Sequence, residues 1–207
     1  NSAIANTSGT YNTAVGYKAL AANTTADYNT AVGYNSMLST AGAGTFNTGL
    51  GARSLETNTT GDDNTGIGVY SMFTNATGNE NTGVGRNSLY ATTGSYNTSL
   101  GWYSANEITS GTYNTVIGHN TSASGATAVN QTVIGAGATG QANNSVTLGN
   151  ADVTAVYASQ DGQATVYTGG LVLEGATANA HEITLGVVDP TADATLNLPA
   201  MASGTYY

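Results

Sequence analysis

Polar and apolar positions alternate in one short motif that recurs along most of the chain, Asn-Thr-x-(Val/Ile/Leu)-Gly. Successive copies read NTAVG at 12–16, NTAVG at 29–33, NTGLG at 47–51, NTGIG at 64–68, NTGVG at 81–85, NTSLG at 97–101, NTVIG at 114–118 and QTVIG at 131–135. The motif glycines Gly16, Gly33, Gly51, Gly68, Gly85, Gly101, Gly118 and Gly135 are spaced by 17, 18, 17, 17, 16, 17 and 17 residues. A variant, NSVTLG at 144–149, follows after a shorter step of 14. Side chains alternate with period two along a strand, so Thr13, Val15 and Tyr17 share one face.

Other columns keep the same phase. A small residue lies three positions before each Asn, at Gly9, Ala26, Gly44, Gly61, Gly78, Gly94, Gly111 and Ala128. An aromatic often precedes the Asn, at Tyr11, Tyr28, Phe46, Tyr96 and Tyr113, and Asp63 and Glu80 interrupt that column. A second apolar position follows the motif glycine by four or five residues, at Leu20, Leu38, Leu55, Phe73 and Leu89.

Seventeen residues is too short for a helical hairpin repeat or a propeller blade. The spacing predicts one coil per repeat, made of two short strands: the motif strand and an extended piece around residues 19–20. Stacked coils pair each strand with its equivalents above and below at about 4.8 Å. Three ladders follow. Asn12, Asn29, Asn47, Asn64, Asn81, Asn97 and Asn114 form an amide ladder. Val15, Val32, Leu50, Ile67, Val84, Leu100, Ile117 and Ile134 form an apolar ladder. The motif glycines form turns where a β-carbon would clash or φ must be positive.

One coil cannot bury its apolar face alone, so stability comes from its neighbours. The expected fold is therefore all-β, a repetitive parallel β-solenoid of about 17 residues per coil over residues 1–150. Eight coils rise roughly 40 Å. So thin a solenoid buries little per residue, which predicts lateral association. After Gly149 the repeat stops. Segments 152–157, 164–167, 170–173, 182–185 and 194–198 read as strands separated by Gly, Asn, Asp and Pro. They predict a β-rich neck or shaft over 151–207.

Composition fits thin layers better than one large core. Only 7% of the 207 residues are charged, Gly reaches 28, and aromatics are 13 Tyr, 2 Phe and 1 Trp. Twelve acids against three bases give a net charge of −9. Nucleic acid needs clustered Lys and Arg, so it is not an expected partner. Membrane insertion is not expected either, since no apolar run approaches a span. The absence of cysteine excludes disulfides, thiolate zinc sites and a Cys nucleophile. The chain opens mid-pattern and reads as a segment of something longer.

Candidate chemistry is sparse, and no catalytic, cofactor-binding or metal residues are assigned. His119 follows a motif glycine in the column of Tyr17, Tyr34 and Trp102, with no second His or carboxylate column in phase, and reads as a ladder position. His181 and Glu182 would need threefold mates to hold a metal. Asp63 and Glu80 become neighbours in stacked coils, where a cation could screen them; a solvated turn is the simpler reading. Tyr17, Tyr34 and Trp102 would stack on a glycan if they face outward, and otherwise fill a ladder. The three bases are Lys18, Arg53 and Arg86, all just past motif glycines. A polysaccharide-degrading enzyme would need a carboxylate pair in a groove, and no such pairing is visible.

Two resemblances add to this reading. NSVTLG at 144–149 resembles the head repeat of trimeric autotransporter adhesins of the Yersinia adhesin type, and the NTAVG coils look like longer-period relatives of it. That family implies a left-handed parallel β-roll and a homotrimer. The pieces LVLEGATANAHEITL, DPTADATLNLP and ASGTYY within 147–207 resemble phage tail-fibre proteins of marine and cyanobacterial phages. This implies a homotrimeric fibre segment of a virion that projects a host-attachment apparatus. Its partners would be other fibre or tail proteins and a host-surface glycan or protein. The alternative is a trimeric adhesin head on a bacterial cell surface.

Overall fold

The structure, a computed structural model, describes residues 5–40 and 42–156. Nine short strands form one parallel sheet in chain order: β1 (Thr13–Val15), β2 (Thr30–Val32), β3 (Thr48–Leu50), β4 (Thr65–Ile67), β5 (Thr82–Val84), β6 (Thr98–Leu100), β7 (Thr115–Ile117), β8 (Gln131–Ile134) and β9 (Ser145–Leu148). The register follows the repeat, with Thr13 opposite Thr30, Thr30 opposite Thr48 and so on to Thr115 opposite Thr132. This is a parallel β-solenoid of about eight turns and about 17 residues per turn. No helix occurs among the described residues, so none there could cross a membrane.

Each coil has one strand, not the expected two. Residues around 19–20 and their equivalents form turns, because the chain must reverse within a few residues. Leu20, Met37, Leu55, Met72, Leu89 and Ala105 all hold left-handed backbone, with φ between 48° and 53°. Such a conformation costs a non-glycine residue about 1 kcal/mol or more. Coil-to-coil hydrogen bonds offset it. The Leu20, Met37 and Leu55 N–H groups donate to the carbonyls of Ser36, Ser54 and Ser71 at 3.1, 2.9 and 3.0 Å.

The second apolar column also needs correction. After the first six motif glycines it runs four residues on, through Met37 and Met72 rather than Leu38 and Phe73. Met37 and Met72 are fully buried, while Leu38 and Phe73 are half-buried at the surface. In these six coils the inward-facing residue occupies the same point of the turn, which fixes the offset; after Gly118 and Gly135 the buried positions are Ala123 and Ala138.

The motif strand faces the other way from a simple reading of its aliphatics. The position between Thr and the aliphatic points inward, and Ala31, Ser99, Val116 and Val133 are fully buried there. Gly49 and Gly83 face the Met37 and Met72 side chains, so a β-carbon on either glycine would stand 2.8 Å from a methionine Cγ. Volume is therefore shared across the core. Met or Leu in the turn faces Gly in the strand of the next coil, and the small Ala105 comes one coil before the larger Val116. Since the interior position takes every second side chain, Thr13, Val15 and their equivalents must face out.

The two irregular steps leave strand register intact. The 18-residue repeat adds its extra residue between Thr40 and Gly44, and the 16-residue repeat drops one between Thr92 and Gly94. Where the gap to the small residue is three, this corner is Asn at Asn23, Asn58 and Asn75, while Ile108 and Gly125 hold the place before Gly111 and Ala128. Asn23, Asn58 and Asn75 each donate Nδ2–H to the carbonyl at that third residue and accept its N–H at Oδ1. A gap of four or two residues cannot close that ring. Thr stands instead of Asn at both places, and the Thr40 and Thr92 hydroxyl oxygens are buried without a hydrogen-bond partner.

Residues 152–156 contain no strand. The remaining expected neck strands and His181 lie outside the described residues.

Candidate functional site

The amide column forms a continuous buried wire. The backbone N–H of Asn29, Asn47, Asn64, Asn81, Asn97 and Asn114 each donates to Oδ1 of the Asn one coil before, at 2.9 to 3.1 Å. Their Nδ2 groups donate to the carbonyl of the small residue in the following coil, as Asn64 does to Gly78 at 2.7 Å. Gln131 closes the wire by donating its N–H to Asn114 Oδ1 at 3.1 Å.

Three further side-chain ladders are not evident from the motif alone. Besides the Asn23, Asn58 and Asn75 column, a serine column donates into the core-facing strand carbonyls, with Ser54 Oγ–H to Gly66 at 2.7 Å and Ser71 to Gly83 at 2.8 Å. On the outer corner, Asp27 and Asp62 each accept the N–H and the hydroxyl of the threonine one coil before, at 2.6 to 3.0 Å. Each of these columns mixes residue types, which hides it in the sequence.

The motif glycines are confined by both φ and space. Gly16 has φ 125°, and a β-carbon there would stand 2.5 Å from the Gly33 carbonyl oxygen.

The Val/Ile/Leu column forms a ladder on the outside of the solenoid. Val15 is 56% exposed, Leu100 48% and Ile134 39%, while Val32, Ile67, Val84 and Ile117 are half-buried. This is an aliphatic stripe of nine positions, counting Leu148, flanked by the threonine column and exposed or half-buried among the described residues.

The aromatics also stack outside. Tyr11, Tyr28 and Phe46 stack in succession at 4.8 and 4.9 Å between ring centroids, and Tyr96 on Tyr113 at 4.7 Å. Their backbones, like those of Asp63 and Glu80 in the same column, are left-handed. Asp63 and Glu80 thus occupy equivalent exposed points of consecutive coils. No group of three metal-ligating side chains occurs among the described residues. Tyr17 stacks on Tyr34 at 5.6 Å, and His119 lies flat on Trp102 at 4.8 Å. Lys18 sits over the Tyr17 ring.

One surface combines these features in a concavity of about 410 Å³ lined by Arg53, Tyr70, Phe73, Arg86, Asn87, Tyr90 and Tyr103. It arises where two columns run side by side. Left-handed Arg53, Tyr70, Asn87 and Tyr103 supply one wall, and Phe73 and Tyr90, three residues beyond Tyr70 and Asn87, supply the other. Phe73 stacks on Tyr90 at 5.2 Å and meets the edge of Tyr70 at 5.4 Å. Arg53 reaches Glu56 at 3.3 Å and lies over Tyr70. The Glu56 carboxylate holds the Arg53 guanidinium above its usual pKa. Arg86 is exposed and makes no ion pair among the described residues.

Away from the groove, Glu107 is half-buried, and burial raises its pKa above the ordinary carboxylate value. Its Oε1 accepts the Ala123 N–H at 2.5 Å, and its Oε2 is buried without a hydrogen-bond partner.

No protein-family model, curated protein or solved structure matches this chain.

Proposed function

We propose that this chain is a non-catalytic structural segment of a phage tail fibre, in which three copies run in parallel and pack their aliphatic stripes around a common axis. The observation that carries the proposal is the outward ladder from Val15 to Leu148 on a solenoid whose own core is already filled. A contiguous apolar stripe of that length marks a protein contact rather than a solvated face. Its period matches the coil rise, so a parallel copy meets it in register along the whole solenoid. The resemblance of 147–207 to tail-fibre proteins favours a virion over the adhesin head of a bacterial surface.

Light scattering on dilute chain tests the assembly. A stable mass of three chains is expected, and Leu50→Asp with Leu100→Asp is expected to return it to one. A folded monomer of the unaltered chain would refute the assembly. Immunogold labelling of virions tests the location. Label on the tail supports the fibre, whereas label confined to bacterial surfaces supports the adhesin.

A further inference from the structure

The groove of Arg53, Tyr70, Phe73, Arg86 and Tyr90 holds two of the chain's three basic residues, although the chain carries a net charge of −9. The third base, Lys18, lies elsewhere, over the Tyr17 ring. Arg53 is committed: Glu56 neutralises it and Tyr70 holds its plane. Arg86 makes no ion pair among the described residues, so their groove presents one net positive charge at its rim. Arg binds a carboxylate through two parallel N–H···O bonds, which is the strongest contact a single exposed side chain can offer an anion.

The rest of the wall is aromatic. Phe73 and Tyr90 stack nearly parallel, at 20° between ring planes, and Tyr70 stands across them, at 68° to Phe73 and 48° to Tyr90, so the wall is an angled aromatic cleft that includes two phenols. A pyranose ring has a C–H face that lies on aromatic carbon and hydroxyls that point to the rim. Aromatic side chains with a polar tip suit such a ligand, because they bury apolar area while keeping donors and acceptors at the edge. The volume of about 410 Å³ lies at the lower end of ligand sites and fits one or two sugar rings. A polyanion is disfavoured by the overall charge, and one unpaired Arg matches one carboxylate per ring.

We infer that this groove binds a carboxylate-bearing sugar of the uronic acid class. The inference deepens the attachment reading above by naming a ligand class for the segment, and it rests on that reading for its biological setting. Binding is read separately from chain mass and virion location, so the two can fail independently.

The test is an NMR titration of the full chain with methyl β-D-glucuronide, with methyl β-D-glucoside and sodium sulfate as controls. Saturable shifts at the Arg86 side chain and at the Tyr70 and Tyr90 rings are expected with the glucuronide. The glucoside and sulfate are each expected to bind at least about tenfold more weakly, since each lacks one half of the recognition. Arg86→Gln should weaken the glucuronide about tenfold and leave the glucoside unchanged. Arg86 is exposed, so this variant keeps the fold, which an unchanged melting temperature confirms. Absence of shifts, equal binding of glucuronide and glucoside, or an Arg86→Gln variant of unaltered affinity would each overturn the proposal.

Discussion

At the scale of single residues, two kinds of constraint govern this chain. Gly68 combines φ 126° with a neighbouring carbonyl 2.6 Å from where a β-carbon would stand. Gly68→Ala is therefore expected to destabilise by about 2 kcal/mol or more, read as a fall in denaturation midpoint. Glu107 is a different case. With the folded pKa raised, the folded chain holds a proton that the unfolded chain releases. Stability is then highest below the ordinary carboxylate pKa and falls as pH rises towards the folded one. Glu107→Gln keeps the acceptor for the Ala123 N–H and removes the charge. It should raise the melting temperature at pH 7, have little effect at pH 3, and flatten the dependence between them. A rise of equal size at both pH values would contradict this.

At the scale of the coil, hydrogen-bonded ladders and shared core volume decide what is tolerated. Asn64→Ala strips the acceptor from the Asn81 N–H and a donor from the Gly78 carbonyl, both buried. The Gly78 carbonyl keeps Asn75 Nδ2 as a donor, so a cost of about 2 kcal/mol is expected, chiefly from the unsatisfied Asn81 N–H. The same change at half-buried Asn12 in the first motif should cost clearly less, and equal losses in urea melts would argue against a cumulative wire. The corner rule makes a sharper prediction. Deleting Ala43 restores the three-residue gap after position 40. Thr40→Asn together with that deletion should gain about 1–2 kcal/mol over the deletion alone, by closing two hydrogen bonds. Thr40→Asn in the intact chain should gain nothing. If the two backgrounds respond alike in thermal melts, corner length does not select the residue.

At the scale of the whole molecule, the solenoid has a narrow core and a long surface. Each coil contributes little more than one Leu or Met, one small strand residue and its buried amides. Stability of such an array grows with the number of coils and with whatever covers its sides. Association through the outer stripe should therefore appear as concentration-dependent melting, which the Leu50→Asp and Leu100→Asp variant should abolish. A melting temperature independent of concentration over a hundredfold range would mean that the stripe stays uncovered.

The repeat period, the parallel in-register stacking and the amide wire were legible in the sequence. They depend on residues recurring at a fixed phase, and Asn12 to Asn114 recur with almost no substitution. The mixed ladders of Thr, Asp, Asn and Ser were not legible, because any short side chain that bonds to backbone can serve there. Nor was the left-handed turn, since Leu20, Met37 and Leu55 advertise hydrophobicity and not φ. Period-two alternation placed Thr13 and Val15 on one face but could not say which face was inside. Tertiary structure decided that. The opposing turn already delivers a Leu or Met to the interior, which leaves room only for Gly, Ala or Ser from most strands and puts the aliphatic ladder on the surface.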